Sequence, residues 1–348
     1  MDLIIPISIS LIAFLICKFT IRKYDVIFLQ FLDDDFRKPQ SFHNIPTLRI
    51  GGIFLSIQLA VAAIFYSDTR IFLTATSLLF TNFFLGVLDD SKIVRQPLAR
   101  FFIFLLVNLA IIIFFDIKIN RFDIVFFDYI NSFSFSSYLI SLFAIFFVIN
   151  GSNLIDGFNG LLTIHALIIF SILLFICSEL NLNDYFNYIF VIYLGLFFFI
   201  FLNFPKAAYF LGDNGSFFVG SAISYFVIIV SNSTNEIPPF FYAIILYYIF
   251  FEIFFSVFRK IFEKKNPFYP DKLHLHMLIF LFLRKKKSFL KSNYLTSIYI
   301  NFTYLVTMLP VIYFYDNSFA CKIYFFILFL SYLLIYLFFR IICKKLIK

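Results

Sequence analysis

Long apolar runs recur along almost the whole chain, and they restrict its fold more than any other feature. Eleven runs can be marked, at about 2–20, 50–66, 70–88, 100–115, 136–150, 161–178, 186–203, 216–231, 239–258, 294–315 and 321–340. A helix needs about 20 mainly apolar residues to cross a bilayer. Because 62% of the 348 residues are hydrophobic and only 14% are charged, a soluble core could not bury them. The sequence therefore predicts an all-α, polytopic integral membrane bundle of about eleven transmembrane helices.

Basic residues are distributed unequally between the two sides that alternating helices define. With eleven helices, 24 of the 28 Lys and Arg residues fall on one side, and four fall on the other: Arg70, Lys118, Arg121 and Lys322. Because basic residues concentrate on the cytoplasmic side of membrane proteins, we expect the C-terminus inside and the N-terminus outside. The net charge of +8 then reflects orientation in the membrane, and we expect membrane lipid as a partner but no nucleic acid.

The connecting segments are short, so we expect one domain that comprises residues 1–348. Its predicted cytoplasmic loops, at about 21–49, 89–99, 151–160, 204–215 and 259–293, contain the polar residues that end apolar runs. Acidic residues at such boundaries are costly unless they bind something. The loops are therefore where we expect the active site.

Paired aspartates and two glycine-rich turns are the acidic candidates. Asp89 and Asp90 end the third run, where adjacent carboxylates repel unless a cation lies beside them. Mg²⁺ is the usual partner of carboxylates that act with phosphates, although a solvated helix end is the alternative. Asp156 lies in the turn 153–160, which could aim its carboxylate at a ligand or be a plain turn. Asp213 opens the eighth run, as a helix N-cap or as a metal ligand.

The histidines of the predicted cytoplasmic loops are the remaining candidates. His274 and His276 are too closely spaced for a helical zinc site, and no cysteine accompanies them. We therefore interpret them as donors to a phosphate or a nucleotide. His43 lies in the first loop, whereas His165 lies inside the sixth run and is expected to be a packed helix residue.

These candidates come from distant parts of the sequence, yet the predicted topology places them on one face of the membrane. Carboxylates for Mg²⁺, cations for phosphates and glycine turns for close approach are what phosphoryl transfer requires. We therefore expect one substrate to be a phosphorylated lipid and the other a cytoplasmic nucleotide.

The motifs at 43–52, 88–90, 153–161, 212–216 and 267–276 resemble those of the polyprenyl-phosphate N-acetylhexosamine-1-phosphate transferases, in glycosyltransferase family 4. The resemblance implies a bacterial inner-membrane enzyme of eleven helices whose active site faces the cytoplasm. Such enzymes transfer a sugar 1-phosphate from a UDP-N-acetylhexosamine to undecaprenyl phosphate and release UMP. The implied cofactor is Mg²⁺, with Mn²⁺ as the alternative, and a homodimer is left open.

The resemblance also implies roles for individual residues. Asp89 and Asp90 correspond to paired aspartates with catalytic and metal-binding roles, Asp156 to a catalytic aspartate, and Asp213 to a metal-binding aspartate. The implied substrate-binding residues are His43, Arg49, Asn153, Asn159, Lys272, His274 and His276. Glu252, Arg259 and Lys260 resemble the acidic and paired basic positions that precede the histidine motif.

The chain departs from the family pattern at four positions. Asn159 replaces a frequent aspartate, so that position offers an amide and no carboxylate. Met277 replaces a common third histidine, Lys272 a common arginine, and Leu48 a frequent proline. The incomplete histidine motif argues against the peptidoglycan-precursor branch of the family.

Several alternatives remain open at the level of sequence. Within the enzymes, the nearest alternative is phospho-N-acetylmuramoyl-pentapeptide transfer, and the rivals of other classes are a lipid-linked sugar flippase or transporter and a structural membrane subunit. The expected role is the initiating step of cell-surface polysaccharide synthesis, of O-antigen, capsule or teichoic acid type. Neither the sugar nor the choice between direct displacement and a covalent phospho-enzyme is decided.

Overall fold

The computed structural model describes residues 4–20, 30–33, 46–66, 70–91, 93, 96–266 and 271–347, which are mainly α-helical. Fourteen helices lie within these ranges: α1 Ile4–Thr20, α2 Gly51–Tyr66, α3 Arg70–Asp90, α4 Pro97–Phe115, α5 Val125–Asn131, α6 Ser134–Ile155, α7 Leu161–Glu179, α8 Asn183–Asn203, α9 Gly212–Asn232, α10 Pro239–Ile245, α11 Tyr247–Phe262, α12 Leu275–Arg284, α13 Phe289–Met308 and α14 Ser318–Ile347. A 3-10 turn, Leu309–Tyr313, follows α13. The segment predicted as the loop 259–293 is thus partly helical.

Eight helices in the described ranges are long and apolar enough to cross a membrane, namely α3, α4, α6 to α9, α13 with its 3-10 turn, and α14. A ninth candidate is α10 with α11, which meet at a bend of 75°. Each of the eleven predicted runs coincides with a helix or with this bent pair, so the chain is a multi-pass membrane protein. However, α1 and α2 have only 17 and 16 residues, which at about 1.5 Å per residue cover less than the roughly 30 Å of a hydrocarbon core. The count of eleven and the orientation stay predictions.

Helix α9 lies at the centre of the bundle, where 89% of its membrane-length window is buried. It packs against α3 and α6. Small residues make this close approach possible, since a Cβ added to Gly220 would lie 2.6 Å from the Cα of Ile149 on α6. The N-terminal turn of α9 is thereby held between the C-terminal parts of two other helices.

A small three-stranded sheet, which the all-α prediction did not include, lies at the same end of the bundle. Its strands are β1 Leu32–Asp33, β2 Thr47–Arg49 and β3 Tyr209–Phe210. Strand β2 pairs antiparallel with β1 and parallel with β3, and Arg49 is in register with Phe210. Because β3 directly precedes α9, the sheet places Arg49 beside the first turn of that helix.

Candidate active site

A recess opens where β2, the α6–α7 turn and the start of α9 meet. Its volume is about 120 Å³, which suits a phosphate-sized group but is well below the roughly 300–1,000 Å³ of a pocket that encloses a whole ligand. The lining residues are Asp33, Arg49, Asn153, Leu154, Asp156, Gly157, Phe158, Asn159, Asn203, Phe210, Gly212, Asp213, Met277 and Asn293. Five of the predicted site residues, Arg49, Asn153, Asp156, Asn159 and Asp213, are among them.

Arg49 is the cation of the recess, and two carboxylates fix its guanidinium. Its Nε and Nη2 donate to Oδ2 of Asp33 at 3.2 and 2.6 Å, and its Nη1 donates to Oδ1 of Asp90 at 3.3 Å. Burial alone would lower the pKa of Arg49, but the neighbouring carboxylates, Asp213 foremost, outweigh this and hold the pKa above its usual range. Arg49 therefore stays positively charged at any pH at which the protein is folded.

Asp89 and Asp90, the predicted catalytic pair, do not line the recess. The Asp90 side chain is fully buried, and its Oδ2 accepts hydrogen bonds from the backbone and side-chain nitrogens of Asn214 at 2.9 and 2.6 Å. Asp89 accepts a hydrogen bond from Arg100 at 2.8 Å. Both acids are thus engaged with protein partners, and their catalytic and metal-binding roles stay predictions.

Asp156 and Asp213 are the two predicted acids that do face the recess. Asp213 lies in the first turn of α9, whose N-cap is Leu211. No described side chain donates a hydrogen bond to its carboxylate, although the charge of Arg49 is close enough to interact with it. Asp156 follows the last residue of α6 and is half-buried. Removal from bulk water raises the pKa of Asp156 well above its usual range, the charge of Asp213 adds to the rise, and Arg49 opposes it. A cation in the recess would favour the ionised form of Asp156.

Four asparagines surround these charges and hold the recess walls together. Asn153 Oδ1 accepts a hydrogen bond from Ser216 at 3.0 Å. Asn159 donates its backbone N–H to Asn293 Oδ1 at 2.9 Å and its side-chain amide to a backbone carbonyl at 3.0 Å. Asn203 accepts from the backbone N–H of Gly160 at 2.7 Å. The walls therefore depend on amide contacts between α6, α7, α8, α9 and α13.

Sequence reasoning missed three polar lining residues, Asp33, Asn203 and Asn293, and one apolar one, Phe210. The acidic run 33–35 in the first predicted loop was a signal for Asp33, and the polar residue that ends the seventh apolar run was one for Asn203. We find no comparable sequence signal for Asn293.

The remaining predicted substrate-binding residues lie elsewhere. His274 and His276 are buried, at 3% and 0% exposure, and do not line the recess, whereas the neighbouring Met277 does. Lys272 is exposed and outside the recess. His43 falls outside the described residues. Contact of His274, His276 and Lys272 with substrate stays a prediction.

The acids of the recess fit a metal ion whose coordination would be completed by a substrate phosphate. In the described part of the chain, no group of three or more His, Cys, Asp or Glu side chains could hold a metal ion by itself. Mg²⁺, however, is usually bound through one or two carboxylates together with substrate phosphates. Asp156 and Asp213 supply two such carboxylates, and their oxygens would suit Mn²⁺ as well.

Comparison with known proteins places these residues in a wider context. A family model described as glycosyl transferase family 4 matches residues 70–231. The probable undecaprenyl-phosphate N-acetylglucosaminyl 1-phosphate transferase of Bacillus subtilis (strain 168) is 28% identical over 239 residues, which cover 67% of this chain and 66% of that protein. The undecaprenyl-phosphate alpha-N-acetylglucosaminyl 1-phosphate transferase of Thermotoga maritima (strain ATCC 43589 / DSM 3109 / JCM 10099 / NBRC 100826 / MSB8) is 31% identical over 136 residues, which cover 38% and 40%. Each alignment thus spans less than two thirds of the relative.

Proposed function

Because this chain belongs to glycosyl transferase family 4, we propose that it transfers an N-acetylhexosamine 1-phosphate from a UDP-sugar to undecaprenyl phosphate and releases UMP. The observation that carries the proposal is the recess in which Arg49, Asp156 and Asp213 meet. One permanent cation and three acids surround a space the size of a phosphate group, and one of the acids, Asp33, is paired with the cation. Phosphoryl transfer needs such positioning and charge compensation more than it needs covalent chemistry from the protein.

In the proposed reaction, an oxygen of the lipid phosphate attacks the β-phosphorus of the sugar nucleotide. The bond from that phosphorus to the bridging oxygen breaks, and UMP leaves with this oxygen. A strong base is not required, since a phosphate monoester has a second pKa of about 6 and is largely ionised near neutral pH. Arg49 would bind non-bridging phosphate oxygens through N–H groups that its two carboxylate partners leave available.

We propose that Asp156 and Asp213 hold Mg²⁺ together with the substrate. The ion would supply neutralisation of the charge that develops on the leaving phosphate. This assignment replaces Asp89 and Asp90 with Asp156, because neither of the paired aspartates lines the recess and both accept hydrogen bonds inside the protein. For the same reason we favour direct displacement over a phospho-enzyme on Asp90, whose contribution would be to hold Arg49 and Asn214 in place.

The product would be a lipid-linked sugar diphosphate, to which further sugars could be added. We propose that it initiates a cell-surface glycan of O-antigen, capsule or teichoic acid type. The recess would then face the cytoplasm of the inner membrane, where sugar nucleotides are made, in agreement with the predicted excess of basic residues on that side.

UMP release from purified protein in detergent tests the proposal, with undecaprenyl phosphate, Mg²⁺ and a panel of UDP-sugars. We expect release that requires both the lipid and Mg²⁺ and that Asp213→Asn abolishes. The matched control is Asp184→Asn, because Asp184 is also an acid in the first turn of a helix. It lies at the start of α8, about 30 Å from Asn203, the residue at the end of α8 that lines the recess. Loss of release in both variants, or release without lipid, would contradict the proposal.

The same assay separates the alternatives. Release with UDP-N-acetylmuramoyl-pentapeptide only would identify the peptidoglycan-precursor activity. Movement of a lipid-linked sugar across vesicles without any UMP release would identify a flippase.

A further inference from the structure

Five ionisable side chains form a continuous network behind one wall of the recess. Arg259 Nη1 lies 2.7 Å from Asp271 Oδ2, and Asp271 Oδ1 lies 3.5 Å from His274 Nε2. His274 Nδ1 lies 3.2 Å from Glu252 Oε2, and Glu252 Oε1 lies 3.7 Å from His276 Nδ1. None of the five lines the recess. This network therefore needs an explanation other than direct contact with a substrate in that space.

Glu252 is the centre of this network and connects α11 to α12. It is 1% exposed, and its Oε1 accepts a hydrogen bond from the backbone N–H of Leu275 at 3.1 Å. Leu275 is the first residue of α12, and the N-cap residue His274 provides no side-chain hydrogen bond to that helix. A carboxylate from another helix thus satisfies one of the free N–H groups at this N-terminus, where negative charge is favoured.

The position of α12 sets the position of the recess wall. The ring of His276 stacks on that of His274, with centroids 5.4 Å apart, and meets Phe158 edge-on at 5.8 Å. Phe158 and Met277, the residue after His276, both line the recess. In the described part of the chain neither ring nitrogen of His276 has a hydrogen-bond partner, so its ring contacts with His274 and Phe158 hold it in place.

We propose that Glu252 is a positioning residue, which holds His274, His276 and the start of α12 so that Phe158 and Met277 keep the recess closed around the bound phosphate. The proposal rests on the proposed transferase function for its kinetic consequence, although its structural part does not. Glu252 is 1% exposed and does not line the recess, so its proposed role is to hold other residues in place and not to contact the substrate.

Two substitutions separate positioning from other roles. In Glu252→Gln, the amide oxygen can accept from Leu275 and the amide nitrogen can donate to His274 Nδ1, if the His274 proton moves to Nε2 beside Asp271. We therefore expect this variant to keep its kinetic constants within about threefold of the native ones, and Glu252→Ala to raise the KM for the donor by about tenfold or more. Glu179→Ala, at the exposed end of α7, is the matched control and should change neither constant.

Thiol labelling provides a test that does not depend on activity. Met277→Cys is introduced into the full-length chain after Cys17, Cys177, Cys321 and Cys343 have been replaced by Ala. Met277 is 1% exposed, so a water-soluble maleimide should label the new thiol slowly when Glu252 is native and when it carries the Glu252→Gln substitution. Glu252→Ala should accelerate labelling by about tenfold or more, since labelling would no longer require local opening.

The outcomes are distinct. A folded Glu252→Ala variant with native KM and native labelling would overturn the proposal. An equal rise in KM in Glu252→Gln and Glu252→Ala would also overturn it, because charge and not geometry would then be required. If the native protein releases no UMP, the proposed function fails, and the labelling rates still decide the role of Glu252.

Discussion

Asp90 and Asn214 are joined by two hydrogen bonds to one carboxylate oxygen, from the backbone N–H at 2.9 Å and from the side-chain amide at 2.6 Å. The same amide also donates to the backbone carbonyl of Arg49 at 2.9 Å. Asn214 therefore ties α3, α9 and β2 together directly beside Asp213. A contact that fixes both the cation and an acid of the recess should affect stability and activity together.

Asn214→Ala tests this connection. It leaves the buried Asp90 carboxylate with fewer donors, so we expect a loss of about 1–3 kcal/mol in stability and a marked fall in UMP release. Thermal unfolding in detergent and the release assay measure the two effects. Asn187→Ala is the matched control, because the buried Oδ1 of Asn187 has no hydrogen-bond partner in the described ranges. Equal unfolding temperatures for the two variants would contradict the prediction.

Gly86→Ala should disturb the same region through packing alone. A Cβ at Gly86 would lie 2.6 Å from the backbone nitrogen of Asn214, and backbone atoms cannot rotate away as a side chain can. We expect α3 and α9 to be forced apart, at a cost of about 1–3 kcal/mol in stability. The unfolding temperature measures this loss. A Cβ at Gly157 meets nothing within 4 Å, so Gly157→Ala should unfold at the native temperature.

The apolar pattern predicted the helices well because the thickness of a bilayer requires long, uninterrupted runs. It did not predict the 75° bend between α10 and α11. The run 239–258 contains no glycine and no internal proline, the residues that usually mark a kink. The pairing of Leu48 with Tyr209 was also missed, since strand pairing between segments so far apart leaves no local pattern.

The predicted topology showed which loops meet at the site, but the sequence did not show in which direction their side chains point. Counting helices placed the loops of Arg49, Asp156 and Asp213 on one face, and these residues do lie around one recess. The sequence could not show that Asp90 is turned into the protein toward Asn214. It also could not show that Glu252 contacts the buried histidine pair, because that contact depends on how α11 packs against the start of α12.

Asn159→Asp restores the residue that many family members have, yet we expect it to be harmful in this chain. The Asn159 amide donates to the backbone carbonyl of Pro205 at 3.0 Å. An ionised aspartate cannot donate, so it would face that carbonyl oxygen and add negative charge near Asp156. We predict at least about a tenfold loss in donor kcat/KM, measured by UMP release. Native or improved activity would show that Pro205 can move away from a carboxylate.

A pair of buried amides should stabilise the contact between α3 and α4. Asn82 and Asn108 are both 0% exposed and bond to each other reciprocally, at 2.9 and 3.2 Å. Replacing either one by Leu removes both bonds between the helices and leaves the buried oxygen of the other amide without its donor, while that amide still donates to a backbone carbonyl of its own helix. We expect a loss of about 1–2 kcal/mol for each single variant. The double variant should lose less than the sum of the two. Unfolding of the four proteins in detergent gives the coupling energy, and strict additivity would mean that the pair contributes nothing as a pair.

Asp271 should make stability depend on pH. Burial alone would raise its pKa, but the hydrogen bond and charge of Arg259 outweigh this and hold the pKa of Asp271 below its usual value. A lowered pKa in the folded state means that the ionised form stabilises the fold above the unfolded pKa, about 3.9, and that this contribution disappears as the pH falls through the folded value. Asp271→Asn should therefore lower the unfolding temperature by a constant amount between about pH 5 and pH 7. The difference from the native protein should shrink only below about pH 4, and a difference that grows on acidification would show that Asp271 is not held ionised by Arg259.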